Sequence, residues 1–167
     1  MISFKSLTRQ IEIGANCYLL QFGNKRIIID SGMHPKEEGK DSLPDFSSIY
    51  DHDIDAAILS HAHLDHSGSL PILQRHYPEM PVMMTESTSA LSQALLHNSV
   101  NVMTSKRNEL GLDEYPFFSH REIHKISKQW CHRRTERKFD LDNEGEIECT
   151  FYDAGHVLGA IGALIEY

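Results

Sequence analysis

Residues 61–66, His61-Ala62-His63-Leu64-Asp65-His66, place three imidazoles and a carboxylate within six positions. Neutral imidazole and carboxylate are the donors that zinc, iron and manganese accept. The run that leads into them, Ala56-Ala57-Ile58-Leu59-Ser60, is short and apolar, the pattern of a buried strand. A loop leaving such a strand can turn its side chains toward one point. In extended or tightly turning backbone, side chains two positions apart share a direction, so His61 and His63 can hold one metal. Asp65 and His66 then face a neighbouring point, and two metals come within reach of one loop. Gly68, after Ser67, permits a sharp exit into the next element.

Two further segments point to the same chemistry. Asp153-Ala154-Gly155-His156-Val157-Leu158-Gly159-Ala160 ends a strand in a turn whose single histidine is bracketed by glycines. His61, His63 and His156 together make a three-histidine set with an open position, which is the catalytic rather than the closed structural type. Asp30 closes the apolar run Arg26-Ile27-Ile28-Ile29. A carboxylate there is expensive to bury unpaired, and orienting a ligand histidine would repay it. His34, His52, His76, His97, His120, His124 and His132 lie in surface-like contexts and read as solvated.

The elements that must carry these residues follow from pattern. Residues 16–22 and 26–30 are β-rich runs separated by Gly23-Asn24-Lys25, a hairpin. Residues 33–53 are irregular, with Pro35, Gly39 and Pro44. A short helix spans Leu70 to Tyr77 and stops before Pro78. A short strand covers Val82 to Thr85, and a helix covers 87–104, where Leu91, Leu95, Asn98 and Val102 recur at helical spacing. Ser119 and Glu122 fit a capping box, and the helix behind it presents Ile123, Ile126 and Trp130 on one face. Residues 147–153 alternate as a strand, and Ala163–Tyr167 begin another. The class is α/β or α+β with a buried sheet, expected as one sheet flanked by helices on one face.

A chain of 167 residues is one domain by length, with 40% apolar and 24% charged residues. No apolar run approaches the roughly 18 residues that span a bilayer, and no secretory h-region is visible, so no membrane role is expected. Cys17, Cys131 and Cys149 are widely spaced and read as reduced structural thiols, with a cytoplasmic location. The net charge of −8 speaks against a general polyanion binder. The charge is uneven, however. From Arg121 to Lys138 seven basic residues face two acids, a net +5, which leaves −13 on the rest. Within that stretch Arg121, Lys125, Lys128, Arg133 and Arg134 are candidate nucleic-acid contacts; a solvated helix face is the alternative.

HAHLDH resembles the HxHxDH signature of the metallo-β-lactamase superfamily. The flanking segments narrow the likeness. Leu43-Pro44-Asp45-Phe46, Ile54 to His61, Ser67-Gly68-Ser69-Leu70-Pro71 and Asp153 to Ala160 resemble the RNA-processing branch that carries a β-CASP insertion. The resemblance implies the first half of an αββα sandwich, with His61, His63 and His156 on a first metal and Asp65 and His66 on a second. It implies that Asp30 supports these ligands and that a hydroxide bridging two metals attacks a phosphodiester, with Asp65 and Asp30 as the catalytic carboxylates. Two divalent ions are implied, zinc foremost, with manganese or iron as alternatives.

In that family a bridging aspartate follows the next strand and a further histidine comes late. Neither falls within residues 1–167, nor does the insertion or the second half of the sandwich. The chain therefore reads as the amino-terminal part of a metal-dependent ribonuclease, with RNA as the complete enzyme's partner. Self-association, or the missing half, is expected to cover an apolar sheet face. The alternatives are a small-molecule hydrolase of the same fold, a thioesterase or lactonase, and a non-catalytic half-site.

Overall fold

The computed structural model describes residues 1–9, 14–142 and 144–167. The hairpin forms from β2 (Tyr18–Phe22) and β3 (Lys25–Ile29), and β1 (Ile2–Ser6) pairs antiparallel with β2 along its outer edge. From β3 onward the sheet is parallel, through β4 (Ala56–Ile58), β5 (Val82–Met84) and β6 (Trp130–His132). The order is β1-β2-β3-β4-β5-β6. Parallel strands need crossovers. These are α1 (Leu64–Ser67) with α2 (Leu70–His76), then α3 (Glu86–Leu110) with α4 (His120–Ser127). The irregular stretch after β3 holds two single 3-10 turns, Gly39–Ser42 and Phe46–Ser48.

A second sheet corrects the expectation of one. β7 (Lys138–Asp140), β8 (Glu148–Asp153) and β9 (Ile161–Glu166) form an antiparallel three-stranded sheet, order β7-β8-β9. The difference lies in strand chemistry. β4, Ala-Ala-Ile, is buried at every position, as a parallel strand covered on both faces must be. β8 instead is buried only in part: Cys149, Thr150 and Phe151 are buried while Tyr152 and Asp153 are exposed.

Two cores result. On one face of the large sheet Leu19, Ile28, Ala57, Val82 and Met84 pack against Leu73 of α2, Leu96, Val100 and Met103 of α3, and Ile123 and Ile126 of α4. On the other face Phe22, Ile27, Ala56, Ile58 and Met83 meet Cys149, Phe151 and Ile161 of the small sheet. The layers are helices, sheet, sheet, a mixed α/β arrangement. Trp130 departs from the expected helix face: α4 ends at Ser127, and Trp130 opens β6 with its indole N–H donating to Gln74 Oε1 at 2.8 Å.

The uncovered face of the small sheet is more polar than the expected bare apolar face. Lys138 Nζ lies 2.9 Å from both Glu148 and Glu166, beside exposed Tyr152 and Leu164. No helix of the described residues is long and apolar enough to cross a membrane.

Candidate metal centre

The centre sits where β3, β4 and β8 end. The chain leaves β4 through Leu59 and Ser60 and reaches His61, which is 8% exposed. His63 starts α1, and its carbonyl accepts the N–H groups of His66 and Ser67 at 2.9 and 2.8 Å. That one-turn helix swings Asp65 and His66 back toward the strand ends. From the small sheet, the turn after β8 delivers His156. The turn is closed by Ala154 N–H on the Ala160 carbonyl at 3.0 Å, and Ile161 N–H donates to the Ser60 carbonyl at 2.9 Å. This last bond joins the two sheets at the site.

His61, His63 and His156 form a near-equilateral triangle. Their ring centroids are 4.9, 5.0 and 5.0 Å apart, and one donor atom from each lies within 4.8 Å of the others. Burial pushes the His61 imidazole down to about 4, aided by the neighbouring His66. The ring is thus neutral at pH 7, the form that ligates a metal. His63 and His156 are exposed, so the triangle opens to solvent on one side. Three imidazoles converging without a carboxylate between them fit a divalent cation with a free coordination position.

Asp30 holds this arrangement from behind. It is 5% exposed and sits at a positive φ of 60°, a conformation Asp tolerates better than most residues. Its carboxylate accepts Ser60 N–H at 2.7 Å, Ser60 Oγ–H at 2.8 Å and His66 Nδ1–H at 2.7 Å. Ser60 Oγ is in turn 3.0 Å from His61 Nδ1. One carboxylate therefore orients an imidazole of the triangle and the imidazole beside it. Burial alone would lower His66, but the Asp30 hydrogen bond and charge outweigh it and raise the ring above its ordinary value. His66 Nε2 faces Asp65 Oδ2 at 3.5 Å, so these two donors sit side by side next to the triangle, whose His61 ring is 4.0 Å from that of His66.

Two supporting residues escape sequence reasoning. Ser60 precedes His61 and could have been suspected from its position between strand and ligand run. Asn16 gives no local signal. Its Nδ2–H donates to the Asp65 carbonyl and reaches His66 Nε2, both at 3.1 Å, while Tyr18 O–H holds its Oδ1 at 2.9 Å. The backbone is tight here as well. A Cβ at Gly32 would lie 1.7 Å from the Asp65 carbonyl oxygen, and one at Gly159 would lie 2.5 Å from Thr85 Oγ1. Gly159 also has φ +83°, and its carbonyl accepts the hydroxyls of Thr85 and Thr88 at 2.8 and 2.9 Å.

The candidate basic residues divide into two places. Arg121, Lys125 and Lys128 line a shallow cavity on the α4 face with Glu122 and His124. Arg133 and Arg134 line a polar cavity of about 650 Å³ bounded by Thr85, Asp153 and Gly159, the last two from the His156 turn. An apolar groove of about 430 Å³ adjoins His63 and Asp65, walled by Met33, Leu64, Leu95 and Val102. Of the histidines read as solvated, His34 is buried, and His97 and His120 meet at 2.7 Å between Nδ1 atoms.

The chain is similar to known proteins in sequence and in fold. The chain is 34% identical over 166 residues to "Endoribonuclease YSH1" of Saccharomyces cerevisiae, covering 98% of this chain and 21% of that protein. It is 33% identical over 155 residues to "Integrator complex subunit 11" of Danio rerio, covering 89% of this chain and 25% of that protein. These relatives belong to the β-CASP branch that the flanking motifs resemble. The chain spans about a fifth of the length of the curated relatives it matches. A solved archaeal metallo-β-lactamase superfamily protein from Sulfolobus tokodaii shares the fold, with a TM-score of 0.60 at 20% identity over 99% of this chain and 61% of that one. The sequence pattern of the metallo-β-lactamase superfamily matches residues 11–143, and the chain belongs to that superfamily.

Proposed function

We propose that the chain is the amino-terminal catalytic part of a metal-dependent phosphodiesterase that cleaves RNA. The observation that carries this is the open triangle of His61, His63 and His156 with Asp65 and His66 beside it. Two divalent ions held there, zinc foremost, would supply an activated water and withdraw charge from the scissile phosphate. The protein's own part is positional. His61 is kept neutral by burial, and Asp30 fixes the tautomer of His66, with Nδ1–H spent on the carboxylate and Nε2 turned to the site. Asp65 offers a carboxylate oxygen on the same side. The likeness to an endoribonuclease supports an RNA substrate. The short share of their length that this chain spans supports a larger catalytic unit. All three cysteines are free, and burial pushes Cys149 up to about 12, which makes its thiol an unreactive packing group.

A second reading, a thioesterase or lactonase, draws on the apolar groove beside His63 and Asp65 and on the −8 net charge. The test is zinc-loaded chain incubated with end-labelled single-stranded RNA, a thioester and a lactone, each against a His63→Ala control. RNA cleavage lost in the control supports the first reading. Acyl substrate turnover without RNA cleavage replaces it with the second, and tight zinc binding without any turnover leaves a non-catalytic half-site.

A further inference from the structure

The polar cavity beside the His156 turn has features that the metal centre does not use. Arg133 is locked into its wall. Its N–H donates to the Met84 carbonyl at 2.8 Å, and its guanidinium lies 5.1 Å above the Phe139 ring. Nη1 donates to the His132 carbonyl at 3.2 Å, while Nε–H is buried with no acceptor. A desolvated donor left without a partner costs free energy, and a charged donor costs more. Arg134, next along, is exposed and has no ion-pair partner among the described residues. Glu86 and Asp153 share the cavity, and neither pairs with the arginines; Asp153 Oδ1 instead accepts Gly155 N–H at 2.8 Å.

We infer that this cavity is the subsite for the nucleotide next to the scissile bond, with its phosphate held by Arg133 and Arg134. The inference rests on the phosphodiesterase reading and deepens it. Guanidinium groups match phosphate oxygens with a planar fork of donors. The carboxylates that line the same space suit a nucleotide over a bare anion, because ribose hydroxyls and base amino groups donate where phosphate accepts. The volume, about 650 Å³, leaves room for one such unit. The cavity and the metal centre share the turn from Asp153 to Gly159, so a strand with one phosphate at the histidines can lay its neighbour against the arginines.

The test is fluorescence anisotropy of a labelled single-stranded RNA of mixed sequence, titrated with the zinc-loaded full chain across a salt series. Arg134→Ala should weaken binding about tenfold and lower the slope of log affinity against log salt by about 0.7. Arg133→Lys, which keeps charge but loses the fork, should also weaken binding. A Lys125→Ala/Lys128→Ala double variant, on the α4 face, should lose less affinity than Arg134→Ala does. Arg134 is exposed, and circular dichroism should be unchanged in its variant. Unaltered affinity and slope in Arg134→Ala, with the loss falling on the lysine variant, would overturn the inference and leave the phosphodiesterase reading intact. A wild-type chain that holds no RNA at any salt overturns both.

Discussion

Asp30 shows how much a single carboxylate can organise. It accepts from His66 directly and reaches His61 through the Ser60 hydroxyl, while its own backbone sits at positive φ. Because it braces the histidines without belonging to the triangle, its loss should be milder than theirs. His61→Ala and His63→Ala should remove most zinc affinity, whereas Asp30→Asn should cost about 10–100-fold. Isothermal titration of the three variants with zinc decides this, and equal losses would put Asp30 among the ligands. The donor count sets a second expectation. Three histidines converge on one point, while only Asp65 and His66 lie paired beside it. One zinc should therefore bind tightly and a second weakly, which equilibrium dialysis with metal analysis measures; two tight ions per chain would refute it. The six-residue HxHxDH run and the glycine-bracketed His156 were legible because their residue types are costly unless used. Asn16 was not, since an amide 49 residues before Asp65 leaves no mark on local pattern.

Among the elements, α4 is the clearest case of local sequence dictating structure. Ser119 Oγ accepts Glu122 N–H at 3.3 Å and Glu122 Oε2 accepts Ser119 N–H at 2.8 Å, the reciprocal cap read from spacing. Ser119→Ala should cost about 1 kcal/mol in a denaturant melt. Burial alone would raise Glu122, but hydrogen bonds from Arg75 and Ser119 and the Arg75 charge outweigh it and hold the carboxyl below its ordinary value. A carboxyl lowered on folding contributes stability above its unfolded pKa and loses it as pH falls through the folded one. The stability gap between wild type and Glu122→Gln should therefore be present at pH 7 and shrink below about pH 4; a constant gap would contradict it. Other elements were less legible. α3 runs to Leu110, six residues past its expected end at 104, because nothing in the polar stretch breaks a helix until Gly111 at φ +68°. β7 is three residues among charges, and β1 is exposed at every position, so neither carries a pattern of its own.

For the molecule as a whole, the second sheet is the main departure from what periodicity suggested. Strand alternation marks a half-buried face but does not say which sheet that face belongs to. The two sheets meet through Phe151, which is fully buried. Phe151→Ala should cost about 3–5 kcal/mol, read from chemical denaturation. The strand edges at β1 and β9 are unpaired among the described residues, with Ile2, Phe4 and Leu164 exposed. Such edges invite pairing, so solution mass should rise with concentration and fall back in a Leu164→Lys variant. A monomer at every concentration would refute this. The triangle of histidines adds a thermodynamic consequence. His61 and His63 follow a strand of one sheet and His156 follows a strand of the other, more than ninety residues along the chain. A cation gripped by all three acts as a rivet across the sheet interface and binds only chains in which that interface has closed. Its binding free energy therefore adds to the cohesion of the two layers by mass action. Stripping the ion with a chelator should loosen the small sheet first, as faster amide exchange along β8 and β9, with the helix-covered sheet left protected.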